Sequence, residues 1–266
     1  MIDAIKKTVA AAAVAAAVAG CASAEPAPAR IPDSQSVRNV VLVHGAFADG
    51  SGWRGVYDDL TARGYRVSVV QNPLTSFEAD VASTRRVLAR QDGPTILVGH
   101  SYGGAVITET GVDPNVVGLV YVAAFAPDVG ESLSTLLTQF PPPGLVTDAT
   151  PDGFGFVEYA SFKDGFAGDT TDADAAFMRD SQNPIALASF ATPVTQAAWR
   201  SKPNWAVIAT QDRAIDPRLL RQMAERSGAQ SVDVEASHVP YVTQPRAVAD
   251  LIDQAARSVS QANSAN

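Results

Sequence analysis

Short apolar runs alternate with amphipathic segments along most of the chain. Between the runs, apolar residues recur at helical spacing, as Trp53, Val56 and Leu60 do. The apolar runs have the length of buried strands and lie at residues 40–44, 65–70, 95–98, 116–125, 205–210 and 231–235. Strands separated by helices predict an α/β fold with a mainly parallel sheet covered on both faces.

One long segment interrupts this alternation, between the strands that end near residue 125 and start near residue 205. It contains the turn-forming run PPPG at residues 141–144 and an acidic stretch at residues 169–174. Its aromatic residues are Phe140, Phe154, Phe156, Tyr159, Phe162, Phe166 and Phe177. We predict that residues 128–203 form a cap inserted into the sheet domain. For any single one of these aromatics, a place in the cap's own core is the simpler expectation than substrate contact.

The first residues have the pattern of an export signal. Lys6 and Lys7 precede an apolar run at residues 9–18, which is too short to span a membrane. The run leads into Val-Ala-Gly-Cys, a lipobox pattern in which Cys21 would be lipidated, whereas Ala22-Ser23-Ala24 fits ordinary signal-peptidase cleavage. Residues 1–24 are therefore predicted to be a signal peptide, residues 25–36 a flexible linker and residues 37–260 the folded domain.

Composition narrows the setting further. Cys21 is the only cysteine, so an exported form has no internal disulfide and depends on its core. The net charge is −8, and no basic patch suggests nucleic-acid binding. We expect a protein exported from a bacterial cytoplasm, either periplasmic, secreted or tethered to a membrane through Cys21. The sequence shows no repeat, no metal-ligand cluster and no phosphate-binding glycine loop, so no cofactor is expected.

The pentapeptide Gly99-His100-Ser101-Tyr102-Gly103 is the most informative motif. It follows an apolar strand and precedes the small-residue segment GAVI at residues 104–107. A serine with glycine two residues before and after it, at a turn from strand to helix, has the pattern of a nucleophile elbow. The motif alone is common, but this context is the one that it requires. Ser101 is therefore the predicted nucleophile.

Three histidines could serve Ser101 as a base. His100 lies within the elbow, where its side chain should point away from the nucleophile, and His44 follows an early strand. His238 lies just after the alternating segment 231–235, far downstream of Ser101, in the chain order Ser, Asp, His. His238 is the predicted general base.

The acid that would orient this base has three candidates. Asp216 precedes Pro217 and an amphipathic segment, which explains it as a helix N-cap. Asp212 stands at the carboxyl end of the strand at residues 205–210 without such a duty, and Asp128 follows the strand before it. We predict Asp212 as the acid, with Asp216 and then Asp128 as the alternatives.

An acyl-transfer site also needs donors for the oxyanion. One should be the backbone N–H of Tyr102, directly after the nucleophile. The other should come from the glycine-containing loop after the first strand, at Ala46 or alternatively Phe47. We expect Phe47, Trp53 and Phe125 to line the substrate pocket beside these donors.

Taken together, these segments resemble the α/β hydrolases, and specifically the plant methyl-ester esterase and hydroxynitrile lyase group with its bacterial relatives. The shared stretches are VLVHGA at 41–46, GW at 52–53, LVGHSYGG at 97–104, VAAFAPD at 122–128, ALAS at 186–189, TQDRAI at 210–215 and SH at 237–238. The resemblance extends from about Val37 to Ala256. It implies the α/β-hydrolase fold, with Asp212 as the acid and Ala46 as an oxyanion donor.

The resemblance also bears on the reaction. Hydroxynitrile lyases of this group carry a threonine at the position of Gly45 and a lysine at that of Val239, directly after the catalytic histidine. Without these groups, we expect hydrolysis of a small carboxylic ester through an acyl-enzyme. The alternatives are a lyase, a carbon–carbon hydrolase or a cofactor-free perhydrolase on the same triad, and, less favoured, a non-catalytic binder of small ligands.

Overall fold

The structure is a computed structural model that describes the backbone of residues 36–264 and the side chains of residues 36–262. The predicted signal peptide, Cys21 and the predicted linker up to residue 35 lie outside the described residues.

Parallel strands form the central sheet. The strands of the described chain are β1 (Asn39–Val43), β2 (Arg66–Val70), β3 (Thr95–His100), β4 (Val116–Val122), β5 (Thr147–Ala149), β6 (Phe154–Val157), β7 (Ile185–Ala186), β8 (Asn204–Ala209) and β9 (Gln230–Val234). Six of them pair in the order β2-β1-β3-β4-β8-β9, and every pair is parallel. The predicted strand segments are therefore confirmed as members of one sheet.

Helices cover this sheet on both faces. The α-helices of the described chain are α1 (Arg54–Ala62), α2 (Phe77–Leu88), α3 (Gly103–Thr110), α4 (Leu133–Leu137), α5 (Phe162–Gly165), α6 (Asp172–Asp180), α7 (Ala188–Ala191), α8 (Pro217–Ser227), α9 (Pro240–Thr243) and α10 (Pro245–Ser264), and short 3-10 helices lie at Gly50–Trp53 and Ala198–Arg200. Strands β1 and β3 are buried at every residue, which requires cover on both faces because successive side chains point to opposite sides. Of the helices described, none is long and apolar enough to cross a membrane.

Local sequence signals set several element boundaries. Helix α8 begins after Asp216, whose carboxylate accepts a hydrogen bond from the N–H of Arg218, with Pro217 in the first turn. It ends at Gly228, which adopts a left-handed φ of 68°. The strand predicted for residues 116–125 is shorter than expected. It ends at Val122 because Ala123 adopts a φ of 45°, which an extended strand cannot accommodate.

The segment between β4 and β8 contributes no strand to the central sheet. Instead, β5, β6 and β7 pair antiparallel in a small sheet of their own, accompanied by helices α4 to α7. This segment spans the residues predicted to form the cap, 128–203, and is called the inserted segment below. The loops after β1, β3, β8 and β9 all leave the same edge of the parallel sheet, so residues distant in sequence meet there.

Candidate active site

Ser101 occupies a sharp turn between β3 and α3. Its φ is 52°, a left-handed value that costs a non-glycine residue energy and persists only where the surrounding structure enforces it. The close approach of α3 enforces it here, because a Cβ on Gly103 would lie 2.7 Å from the carbonyl oxygens of Val43 and His44. The elbow predicted from the sequence is therefore present in the structure.

The structure brings Ser101, His238 and Asp212 together. The Oγ of Ser101 lies 2.8 Å from Nε2 of His238, and Nδ1 of His238 lies 2.7 Å from Oδ2 of Asp212. Because a carboxylate only accepts, Nδ1 carries the proton and Nε2 is left to accept from the serine hydroxyl. All three side chains are buried, with Ser101 8% exposed and His238 1% exposed.

Backbone donors fix the orientation of Asp212. Its second carboxylate oxygen, Oδ1, accepts the N–H groups of Ala214 and Ile215 at 2.8 and 2.9 Å. These bonds hold one oxygen in the loop after β8 while the other faces His238. A carboxylate held in this way keeps a single ring orientation and a single tautomer of the histidine.

The two alternative acids are engaged elsewhere. Asp216 caps α8 and forms an ion pair with Arg218 at 2.6 Å. Asp128 forms two hydrogen bonds with the guanidinium of Arg200, at 2.8 and 2.6 Å. Asp212 is therefore the carboxylate that the structure places beside His238, in agreement with the capping argument.

The predicted oxyanion donors have free N–H groups. Neither the N–H of Ala46 nor that of Tyr102 donates to any other residue of the described chain. Ala46 borders the same cavity as Ser101, and Tyr102 follows Ser101 directly. The alternative, Phe47, has a φ of 61°, so the chain turns sharply just after Ala46.

The other two histidines have structural partners that sequence reasoning did not identify. His100 is fully buried, and its Nε2–H donates to the backbone carbonyl of His238 at 2.8 Å. Burial lowers the pKa of His100 well below the ordinary value, so its ring is neutral. His44 accepts the N–H of Asn72 on Nε2 and contacts the carbonyl of Gly45 through Nδ1. Both rings therefore brace the backbone next to a candidate catalytic residue.

A cavity of about 320 Å³ opens above Ser101 and His238. Its apolar walls come from the sheet domain and from the inserted segment. The larger side chains include Phe47, Phe125, Phe166, Leu187, Phe190 and Ile215. Beyond Ser101 and His238, the polar side chains at its surface are the hydroxyls of Ser134 and Thr147. Among the residues that the structure describes, no acidic side chain borders it, and neither lysine nor arginine does. The cavity therefore favours neutral, largely apolar ligands of modest size.

The structure corrects one pocket residue. Phe47 and Phe125 line the cavity as predicted, but Trp53 does not. Trp53 is completely buried, and its ring packs on Tyr241 at 4.6 Å and on His100 at 6.5 Å between centroids. Helical spacing placed Trp53 on an apolar face. In the structure that face packs against His100 of the elbow motif and against Tyr241, away from the cavity.

The aromatics of the inserted segment divide between several roles. Phe166 lines the cavity and meets the ring of His238 edge-on, with 5.1 Å between centroids. Phe162 is buried beneath Phe166, whereas Tyr159 and Phe177 are exposed. Leu187, which directly precedes α7, and Phe190, which lies within it, were not identified from the sequence as pocket residues. Their spacing of three residues, which places them on one face of a helical turn, was the available signal.

The inserted segment also contacts the loop that carries His238. The carboxylate of Asp169 accepts the hydroxyl of Ser237 and, at 2.7 Å, the hydroxyl of Thr243. These residues lie on either side of His238 in the chain. The inserted segment therefore helps to fix the position of the candidate base.

Comparison with known proteins agrees with this geometry. A sequence model described as "Alpha/beta hydrolase family" matches residues 40–251, most of the chain. The chain belongs to the alpha/beta hydrolase family. In the part of this alpha/beta hydrolase that the structure describes, no group of three or more histidine, cysteine or acidic residues is placed to hold a metal ion.

Individual relatives of this alpha/beta hydrolase carry hydrolase names. It is 31% identical over 248 residues to a carbendazim hydrolyzing esterase from Nocardioides sp. (strain SG-4G), covering 80% of this chain and 97% of the relative. It is 27% identical over 247 residues to a pyrethroid hydrolase from Sphingobium wenxiniae, covering 82% of this chain and 87% of the relative.

The plant esterase group also appears among the solved structures. The crystal structure of polyneuridine aldehyde esterase superposes with a TM-score of 0.70 at 18% identity, covering 82% of this chain and 98% of the other. At this identity the likeness establishes the shared fold, which confirms the fold implied by the sequence motifs.

Proposed function

We propose that the protein is a serine esterase that hydrolyses small, neutral and largely apolar carboxylic esters. The observation that carries the proposal is the continuous hydrogen-bonded chain from Asp212 through His238 to Ser101, at 2.7 and 2.8 Å, at the base of an uncharged apolar cavity. The names of the carbendazim esterase and the pyrethroid hydrolase support the same reaction class.

We assign a role to each group on this proposal. Ser101 attacks the ester carbonyl while His238 takes its proton on Nε2, and Asp212 stabilises the resulting imidazolium. The N–H groups of Ala46 and Tyr102 bind the oxyanion of the tetrahedral intermediate. His238 then returns the proton to the departing alcohol, and a water molecule releases the acid from acyl-Ser101 by the reverse sequence.

The surroundings of Gly45 favour hydrolysis over cyanohydrin cleavage. A Cβ at this position would lie 2.8 Å from Cβ of Ser101 and 3.1 Å from the carbonyl oxygen of His100. A threonine, as in the resembling lyases, would therefore require the elbow to move. Val239 is completely buried and apolar, so it offers no cation to a leaving anion.

Turnover assays on the purified protein test the proposal. We expect hydrolysis of p-nitrophenyl esters with a dependence on acyl length, labelling of Ser101 by a fluorophosphonate, and loss of both in Ser101→Ala. Mandelonitrile should release no cyanide above the uncatalysed background. Cleavage of the cyanohydrin without ester hydrolysis would replace the esterase proposal with a lyase.

We further propose that the protein is exported, with the N-terminal pattern as support. Fractionation of cells that produce the full chain tests this proposal. A membrane-bound wild type that becomes soluble as Cys21→Ser would favour the lipobox, whereas a soluble, shortened wild type would favour cleavage after Ala24. A full-length cytoplasmic product would contradict export.

A further inference from the structure

A buried carboxylate lies beneath the oxyanion side of the site. Asp80, on α2, is completely buried. Its Oδ2 accepts the phenolic hydroxyl of Tyr102 at 2.6 Å, and its Oδ1 accepts the N–H of Leu74 at 2.8 Å. Tyr102 is the residue whose backbone N–H is assigned to the oxyanion, so Asp80 binds the far end of an oxyanion residue.

The second partner of Asp80 leads to the wall of the cavity. Leu74 has a φ of 58°, an unfavourable value for this residue type, and its N–H is held by Asp80. The carbonyl of Leu74 accepts the N–H of Ala186 at 2.8 Å, and the next residue, Leu187, lines the cavity. Asp80 thus connects the elbow to the inserted segment.

Packing around the Tyr102 ring reinforces this connection. The ring lies 5.9 Å from that of Phe190, which lies 6.2 Å from the ring of Phe47. Phe47 directly follows Ala46, the other oxyanion residue. The rings of Tyr102 and Phe47, one beside each assigned oxyanion donor, therefore both pack against Phe190 in the cavity wall.

The buried environment makes the ionised form of the Asp80 carboxylate unfavourable. Burial raises the pKa of Asp80 to about 6, against the opposing hydrogen bonds from Tyr102 and Leu74. An apolar side chain would avoid that cost if the position only filled space. Two donors from functionally placed segments converge on it instead.

We propose that Asp80 is a positioning residue, which holds the Tyr102 side chain and the Leu74 backbone so that the Tyr102 N–H stays directed at the substrate oxyanion. The inference rests on the proposed esterase function. Ser101 has a strained backbone, and Tyr102 is the first residue after it. Without the tether on its hydroxyl, Tyr102 can relax together with the elbow, and the N–H loses its alignment.

Asp80→Asn, Tyr102→Phe and the double variant test this role in the full chain. Tyr65→Phe is the matched control, because the Tyr65 hydroxyl also donates to an aspartate, Asp253, at 2.7 Å, in a partly buried pair away from the site. Tyr65 precedes β2, at the amino edge of the sheet opposite Ser101. The readouts are kcat and KM for p-nitrophenyl acetate, inhibition by a trifluoromethyl ketone that forms an oxyanion on Ser101, and Tm.

We expect each single variant to lower kcat about 10- to 100-fold with little change in KM, and to weaken the ketone by a similar factor. The double variant should lose no more than the worse single variant, because both changes break one unit. Tyr65→Phe should lower Tm without changing kcat. Full kcat in Tyr102→Phe, or losses that multiply in the double variant, would overturn the proposal.

The rate of Ser101 labelling by a fluorophosphonate, measured in the same variants, separates this inference from the esterase proposal. Phosphonylation also places negative charge on an oxygen in the oxyanion site, so it should slow in both single variants. A wild type that labels but hydrolyses no ester contradicts the esterase function alone. Unchanged labelling in both variants contradicts the role of Asp80.

Discussion

His44 donates a hydrogen bond from Nδ1 to the carbonyl oxygen of Gly45, its neighbour in the chain, at 2.8 Å. The proton is on Nδ1 because Nε2 accepts the N–H of Asn72. In a trans peptide the carbonyl and the following N–H point in opposite directions. A Gly45 carbonyl held by His44 therefore directs the N–H of Ala46 to the other side.

This relationship predicts a graded response to histidine substitution. His44→Asn should lower kcat for a p-nitrophenyl ester by about 10- to 100-fold, because an oxyanion donor is misaligned rather than removed. His238→Ala should lower kcat by more than about 10³-fold, because the base itself is lost. Equal and complete loss in both variants would contradict the assignment of His238 as the base.

The two aspartates after β8 provide a matched pair of substitutions. Asp212→Asn should keep the fold but give His238 the wrong partner, with a loss of up to about 10⁴ in kcat by analogy with serine proteases. Asp216→Asn should retain nearly full activity, since asparagine caps helices about as well as aspartate. Steady-state kinetics on both variants decide the matter. An inactive Asp216 variant beside an active Asp212 variant would exchange the two roles.

Sequence reasoning succeeded where a local pattern has a single structural explanation. The parallel strands could be predicted because burial on both faces demands continuous apolar runs, as in β1 and β3. Asp212 could be separated from Asp216 because an aspartate before a proline is a helix start. The order of Ser101, Asp212 and His238 along parallel strands then placed them at one edge of the sheet.

The remaining features depend on contacts that no local pattern contains. Trp53 was expected in the pocket beside Phe47 and Phe125, but the sequence shows only that Trp53 lies on an apolar face and not what that face contacts. Phe190 lies within α7, a helix of four residues, which is too short to show a clear period. Asp80 looks like a surface residue in the first turn of a helix until Leu74 and Tyr102 converge on it.

The raised pKa of Asp80 predicts a pH dependence of stability. Burial, with a smaller contribution from Glu78, raises this pKa from 3.8 to about 6. The folded state thus binds the proton more tightly than the unfolded state. The stability that this group contributes is complete below the unfolded pKa and is lost as the pH rises through the folded pKa.

Urea unfolding of wild type and Asp80→Asn measures this effect. The difference between their free energies of unfolding should move against the wild type by about 2 kcal/mol between about pH 4 and pH 7, because asparagine does not titrate. The hydrogen bonds that asparagine alters change this free-energy difference by the same amount at both pH values. Their contribution therefore cancels when the two pH values are compared. A difference that is constant, or that favours the wild type at higher pH, would show that Asp80 is not perturbed in this way.

Phe190 should set the size of acyl group that the cavity accepts. Its ring lines the cavity and packs on Phe47 and Tyr102. Phe190→Ala removes that wall, so we expect KM for short p-nitrophenyl esters to rise about 10-fold and the preferred acyl chain to lengthen.

Phe177→Ala is the matched control, since Phe177 lies in the same inserted segment but is 71% exposed. Profiles of kcat/KM against acyl length should differ between wild type and Phe190→Ala and coincide for wild type and Phe177→Ala. If all three profiles coincided, the ester would bind outside this cavity. In that case the inserted segment would not select the substrate through the wall that Phe190 forms.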